Sequence, residues 1–261
     1  MRFIVMGGFE VRDDQGMDCS PASPKLRALL ALLAVDAERV LPAQHLIETL
    51  WDYEIPRTAS TALQVYISKL RQHFDAIGIG REAIATRPAG YLLSLAGHQL
   101  DLFEFDRLVA DARRLSADEP HEAMDRLGRA LALCPGPSLG DLRSHGKLDI
   151  IARQLDGRRL RAHELHCDLA FRVGRESEII CDLYRLAAER PTDESVRWYL
   201  MAALYRNGSV ADALDVYRDL REAMVERLAM EPGERLTRLY VDIIGRASWL
   251  DGAGGLATAR R

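Results

Sequence analysis

The 261-residue sequence predicts a mainly α protein with a small β component. Three observations carry that expectation. Between Thr58 and Phe74, Leu63, Tyr66, Ile67, Leu70 and Phe74 recur at helical spacing and leave a polar outer face. Ala83 to Thr86 and Tyr91 to Leu95 alternate like strands around the turn residues Arg87-Pro-Ala-Gly90. Beyond Asp101 almost every segment has helical periodicity, and Gly174 and Gly208, Ile179 and Ala213, Leu183 and Tyr217, and Leu186 and Leu220 are each 34 residues apart, the tetratricopeptide period. The expected architecture is a winged helix over residues 1–95, a tetratricopeptide-like helical repeat domain over 101–247 and a disordered tail at 248–261.

The elements follow in order. Arg2 to Met6 and Phe9 to Arg12 read as short strands around Gly7 and Gly8, a glycine pair that fits no phosphate-loop motif. Ser23 and Pro24 stand as the cap and first residue of a leucine- and alanine-rich helix, Lys25 to Val35, and a second helix runs from Pro42 to Trp51. Pro56 blocks helix continuation and forces a loop, Asp52, Tyr53, Glu54, Ile55, Pro56 and Arg57, ahead of the third helix. Past the connector Ala96 to Gln99, helices are expected at Leu102–Leu115, Ala123–Cys134, Leu148–Val173, Glu176–Arg190, Glu194–Arg206 and Val210–Ala229. The segment Cys134 to Gly146 breaks the repeat spacing.

Composition narrows the class. With 48% hydrophobic and 28% charged residues the chain reads as globular, and it carries neither a membrane-length apolar run nor a signal peptide, so the cytoplasm, near the nucleoid, is the expected location. Cys19, Cys134, Cys167 and Cys181 are scattered and form no CxxC pair, the pattern of free thiols. The net charge of −4 leans against nucleic acid, yet from Ile55 to Leu93 five cations (Arg57, Lys69, Arg71, Arg81, Arg87) face two acids (Asp75, Glu82), a local +3.

No catalytic motif appears. His163-Glu-Leu-His166 spaces its histidines three apart, not the four of HExxH, and the expectation is packed or solvated histidines, with no metal and no cofactor. GxSxG is absent, and the chain is not expected to be an enzyme. The outer face of the third helix instead offers hydrogen-bonding and cationic groups suited to base edges and phosphates. Gln64, Lys69 and Arg71 are expected to read the major groove, and Thr61 and Ser68 to hold phosphates. Arg87 at the hairpin tip is expected in the minor groove. Lys25, Arg27, Thr58, Tyr66, Gln72 and Tyr91 complete the expected DNA-contacting set, with Tyr66 and Tyr91 also suited to core roles and Trp51 to anchoring the loop.

Small sheet, three helices and hairpin, with Leu50-Trp51, Pro56, Gln64, Tyr66-Ile67-Ser68, Leu70-Arg71 and Thr86-Arg87-Pro88-Ala89-Gly90-Tyr91 in sequence, resemble OmpR-type DNA-binding domains. They are closer still to the Streptomyces antibiotic regulatory protein (SARP) family. Asp101-Leu-Phe-Glu-Phe105, the GPSLGDL run at 136–142 and the repeat near Tyr199 to Tyr217 resemble that family's bacterial transcriptional activation domain. Members often carry two prolines in the loop, where this chain has Ile55-Pro56-Arg57. The resemblance implies a transcriptional activator of a secondary-metabolite cluster, binding as a homodimer to direct repeats in double-stranded promoter DNA near the −35 region. It also implies that the Asp52–Arg57 loop faces RNA polymerase, chiefly its sigma factor. Two alternatives compete: a helical-repeat adaptor that binds only proteins, and a ligand-gated regulator with a pocket in the helical half.

Overall fold

The computed structural model describes residues 1–52, 54–144 and 146–251. The chain divides into two compact units, Met1–Asp111 with Gly128–Ala162, and Ala112–Leu127 with the residues from His163 onward. In chain order the elements begin with β1 (Arg2–Ile4), β2 (Glu10–Arg12), α1 (Pro24–Val35), β3 (Leu41–Pro42), α2 (Ala43–Trp51) and α3 (Ala59–Ala76). A 3-10 turn at Arg81–Ala83 leads to β4 (Ile84–Arg87), β5 (Gly90–Leu93) and β6 (Gln99–Leu100), and then α4 (Asp101–Leu115), α5 (Pro120–Ala132), a 3-10 turn at Gly140–Ser144 and α6 (Gly146–Val173).

Ser23 stands at the N-cap position of α1, without a side-chain capping bond among the described residues, and Pro24 opens the helix, as their order in the sequence predicts. Residues Ala28 to Ala34 are all buried, so α1 is a core helix enclosed on every side. Leu63, Ile67, Leu70 and Phe74 of α3 are buried on the same core, with the Phe74 ring edge-on to Phe3 at 6.1 Å and His73 Nε2 donating to the Cys19 carbonyl at 2.8 Å. The hairpin pairs β4 with β5 from Ile84 opposite Leu93 to Arg87 opposite Gly90. Leu41 and Pro42, expected as loop and helix, form β3 and extend the hairpin to three strands. Gly90 permits that pairing, since a Cβ there would lie 1.9 Å from the Leu41 carbonyl oxygen.

Two features of this unit were not expected. Gln99, read as the end of the connector, forms β6 with Leu100, and the two pair parallel with Arg2 and Phe3 of β1. Directly after them the buried Asp101 carboxylate accepts the Val5 and Met6 amides at 2.9–3.0 Å, which stitches the first residue of α4 to the end of β1. The segment that breaks the repeat has its place here too. A Cβ on Gly7 would meet the Pro135 ring at 3.2 Å, one on Gly140 would meet Gly8 Cα at 2.9 Å, and the Leu139 amide donates to the Val5 carbonyl at 3.2 Å. The glycine pair thus seats the 135–140 segment against the amino-terminal sheet.

The second unit contains a 3-10 turn at Glu176–Ile179, α7 (Ile180–Glu189), α8 (Glu194–Arg206), α9 (Val210–Leu228) and α10 (Glu234–Ile244). Gly174 and Gly208 both turn the chain at positive φ, 73° and 82°, and the paired positions Ile179 and Ala213, Leu183 and Tyr217, and Leu186 and Leu220 are all buried. The 34-residue spacing is therefore a repeat of structure as well as of sequence. Helix α10, absent from the sequence expectation, buries Leu236, Leu239 and Ile243, and Tyr240 stacks on Tyr217 at 4.2 Å. Order runs into the expected tail: Ser248–Asp251 is a 3-10 turn, Leu250 is buried, and its carbonyl accepts Arg206 Nε at 2.9 Å. Residues 252–261 lie outside the described residues. No helix among the described residues is long and apolar enough to cross a membrane.

His163 and His166 are buried in α6, and burial pushes the His166 pKa below the ordinary imidazole value, so the ring is packed neutral. Among the described residues no three His, Cys, Asp or Glu side chains group closely enough to hold a metal ion.

Candidate nucleic-acid interface

Because the apolar stripe of α3 is fixed on the core, its other face is turned to solvent. Thr58, Thr61, Gln64, Ser68, Lys69 and Gln72 are exposed there, and none of them makes a side-chain hydrogen bond among the described residues. From Ala59 to Phe74 the helix contains neither Asp nor Glu. Val65, which sequence reasoning missed, lies within one turn of Thr61, Gln64, Ser68 and Lys69 and is 45% exposed. The available signal was an apolar residue off the buried stripe, a poor use of a solvated position and a good fit to a thymine methyl group. At the hairpin, Arg87, Pro88 and Ala89 are exposed, and among the described residues the Arg87 guanidinium bonds only to its neighbour, Nη1 donating to the Thr86 carbonyl at 3.3 Å.

Three of the expected contact residues are engaged within the protein. Arg71 donates from Nε and Nη2 to the Ile84 carbonyl at 2.9 and 2.7 Å, and from Nη2 to Thr86 Oγ1 at 2.8 Å. Among the described residues only Nη1 is left over, and a two-point fork onto guanine needs a second nitrogen with a free donor. Arg71 therefore ties the wing to α3 with the groups that such a fork would use. Lys25 Nζ donates to the Leu50 carbonyl at 2.5 Å and sits 5.7 Å from the Trp51 ring centre, a cation at the carboxyl end of α2. Arg27 Nη2 donates to the Phe9 carbonyl at 3.0 Å and to Asp141 at 3.1 Å, with its guanidinium over the Phe9 ring. Both belong to the DNA-contacting set expected from the sequence, where either could touch a phosphate or simply be solvated, and in the structure a carbonyl or carboxylate distant in sequence lies beside each. Tyr66 is half-buried and stacks on Trp51 at 5.9 Å, while Tyr91 is a half-buried strand residue paired with Leu41 and Thr86.

Arg71→Ala is expected to cost about 1 kcal/mol or more of stability, from the loss of charge-assisted bonds. It should weaken binding to specific and scrambled duplexes alike, because the wing is released. Thermal melts with fluorescence anisotropy on both duplexes check this; relaxed base preference at unchanged stability would restore Arg71 as a reader.

The loop between α2 and α3 opens on Asp52 at φ 53° and ψ −109°, and Glu54, Ile55, Pro56 and Arg57 are exposed. Tyr53 lies outside the described residues. In the helical unit a concavity of about 650 Å³ is lined by Phe171, Glu176, Tyr205, Arg206 and Arg246 among others.

A solvent-facing helix free of acids from Ala59 to Phe74, an arginine-tipped hairpin and a following helical repeat together have the form of a winged-helix regulator of transcription. Residues 19–93 match the family described as "Transcriptional regulatory protein, C terminal", and residues 100–244 match "Bacterial transcriptional activator domain". Regulatory protein DnrI of Streptomyces peucetius is 30% identical over 96% of this chain and 95% of its own length. Transcriptional regulatory protein MoaR1 of Mycobacterium tuberculosis is 31% identical over 100% of this chain and 84% of its own. A solved structure of Mycobacterium tuberculosis EmbR in complex with a low-affinity phosphopeptide superposes with a TM-score of 0.80 at 28% identity, covering 99% of this chain and 69% of that one. The chain belongs to the SARP family of transcriptional regulators.

Proposed function

We propose that the protein binds promoter DNA sequence-specifically through α3 and the hairpin and activates transcription. The outer face of α3 carries the reading, since its exposed hydrogen-bonding groups and Lys69, with no carboxylate from Ala59 to Phe74, match phosphates and base edges. Gln64 and Lys69 address base edges in the major groove, Val65 a thymine methyl, Thr61, Ser68, Gln72 and Thr58 the flanking phosphates, and Arg87 the adjacent minor groove. Two copies occupy direct repeats near the −35 region, and the exposed Glu54–Arg57 loop meets the sigma factor of RNA polymerase. Membership of the family supports these finer points, as it does the assignment of the regulated genes to a secondary-metabolite cluster. Within the chain, residues 1–95 serve DNA and 101–247 serve activation.

Anisotropy titration of the full chain on its own promoter duplex at about 50 and 200 mM salt tests the proposal. Affinity should fall steeply with salt, by roughly ten-fold for every two phosphate contacts in this interval. No binding at either salt would favour a protein-binding adaptor. Regulation by a ligand in the helical half has one observation in its favour, the concavity at Phe171, Tyr205 and Arg246 between the two repeat turns.

A further inference from the structure

The start of the α2–α3 loop is held in a conformation that it would not keep by itself. Asp52 adopts φ 53° and ψ −109°, a region that costs a side-chain-bearing residue about 1–3 kcal/mol. The Glu54 amide donates to the Trp51 carbonyl at 3.1 Å and closes the turn around it. The Asp52 carboxylate faces inward: Oδ1 is buried without a hydrogen-bond partner, and Oδ2 lies 2.7 Å from where a Cβ on Gly146 would stand. Strain and an unsatisfied buried oxygen are both costs that a free loop sheds by turning outward. What faces the carboxylate is the first residue of α6, and that residue is itself fixed. Arg143 donates to Asp149 and Asp156 of α6 at 2.9 and 2.6 Å, and the Ser138 amide donates to Asp156 at 2.9 Å.

We infer that Gly146 is a positioning residue for the loop: its missing side chain admits the Asp52 carboxylate, and the activator segment thereby sets how Glu54, Ile55, Pro56 and Arg57 are displayed. Asp52 lies in the segment that matches the DNA-binding family and Gly146 in the segment that matches the activator family, so the contact joins the two functions directly. Asp52 itself is then part of the loop's support and not of its displayed surface. The functional half of the inference rests on the reading that the loop meets RNA polymerase.

The test compares the full chain with Gly146→Ala, Asp52→Gly and the double variant, by amide hydrogen exchange, promoter affinity and activated transcription with purified polymerase. Alanine is well tolerated at the start of a helix, so Gly146→Ala should fold, and a thermal melt verifies that. Its methyl group displaces the carboxylate, and exchange at the Glu54 amide, which the turn holds on the Trp51 carbonyl, should rise at least ten-fold, while α3 and promoter affinity stay unchanged. Activated transcription should fall at least five-fold. In the Asp52→Gly background, where glycine accepts the φ and no carboxylate remains to be displaced, Gly146→Ala should be silent in exchange. Unchanged exchange in Gly146→Ala, or the same rise in both backgrounds, overturns the positioning role. A rise in exchange that follows this pattern with transcription intact upholds the positioning role and overturns the loop's part in activation.

Discussion

Gln64→Ala combined with Lys69→Ala is expected to lower affinity for the promoter duplex by about two orders of magnitude or more while leaving the fold intact. A good side-chain contact to a base is worth about 1–3 kcal/mol of discrimination, and the pair loses two. Both side chains are exposed and without side-chain hydrogen bonds among the described residues, so stability should move by no more than about 0.5 kcal/mol. Affinity for a scrambled duplex should fall far less, since it loses one cation, and its salt slope should drop by about one. Anisotropy on the two duplexes checks this. An equal loss on both would reduce α3 to a phosphate-binding helix.

Asp101→Ala should produce the largest loss of stability. It strands the buried amides of Val5 and Met6, each at a cost of about 1–3 kcal/mol, and frees β1 from the start of α4. Burial also raises the Asp101 pKa to about 6, against the lowering effect of the Met6, Val5 and Leu102 amides. The folded protein therefore holds this proton more tightly than the unfolded chain does. Stability from this group is greatest at low pH, declines as pH rises from about 4 to about 6, and is level above that, a change of up to about 3 kcal/mol. The difference in unfolding free energy between the parent and Asp101→Asn, followed by urea denaturation from pH 4 to 7, should trace that decline. A difference independent of pH would contradict it.

Much of the fold is legible in the sequence wherever a period is sustained. The stripe of α3, the cap and proline of α1, and the 34-residue pairing of Gly174 with Gly208 each repeat one physical constraint several times. Two-residue strands offer no such repetition, so β3 and β6 escaped: their pairing depends on partners 40 to 100 positions away in the chain. The pair Gly7 and Gly8 was legible as a turn, but its partner, the 135–140 segment, was not. The site divides in the same way. Residue type and helical phase locate the face that carries Gln64 and Lys69, because phase alone decides what is exposed. Neither decides whether a cation is already used. Lys25, Arg27 and Arg71 carry the same positive charge as Lys69, but carbonyls at Leu50, Phe9 and Ile84 occupy them, and only the tertiary fold brings those together.

A hydroxyl-radical footprint of the full chain on its own promoter tests the central claim most directly. The account predicts protected patches on one face of the duplex, at repeats one helical turn or a multiple apart, with a minor-groove flank at each that Arg87→Ala leaves open while the rest stays protected. Folded protein that protects no part of the promoter, or a footprint that Arg87→Ala and Gln64→Ala with Lys69→Ala leave unaltered, would contradict it.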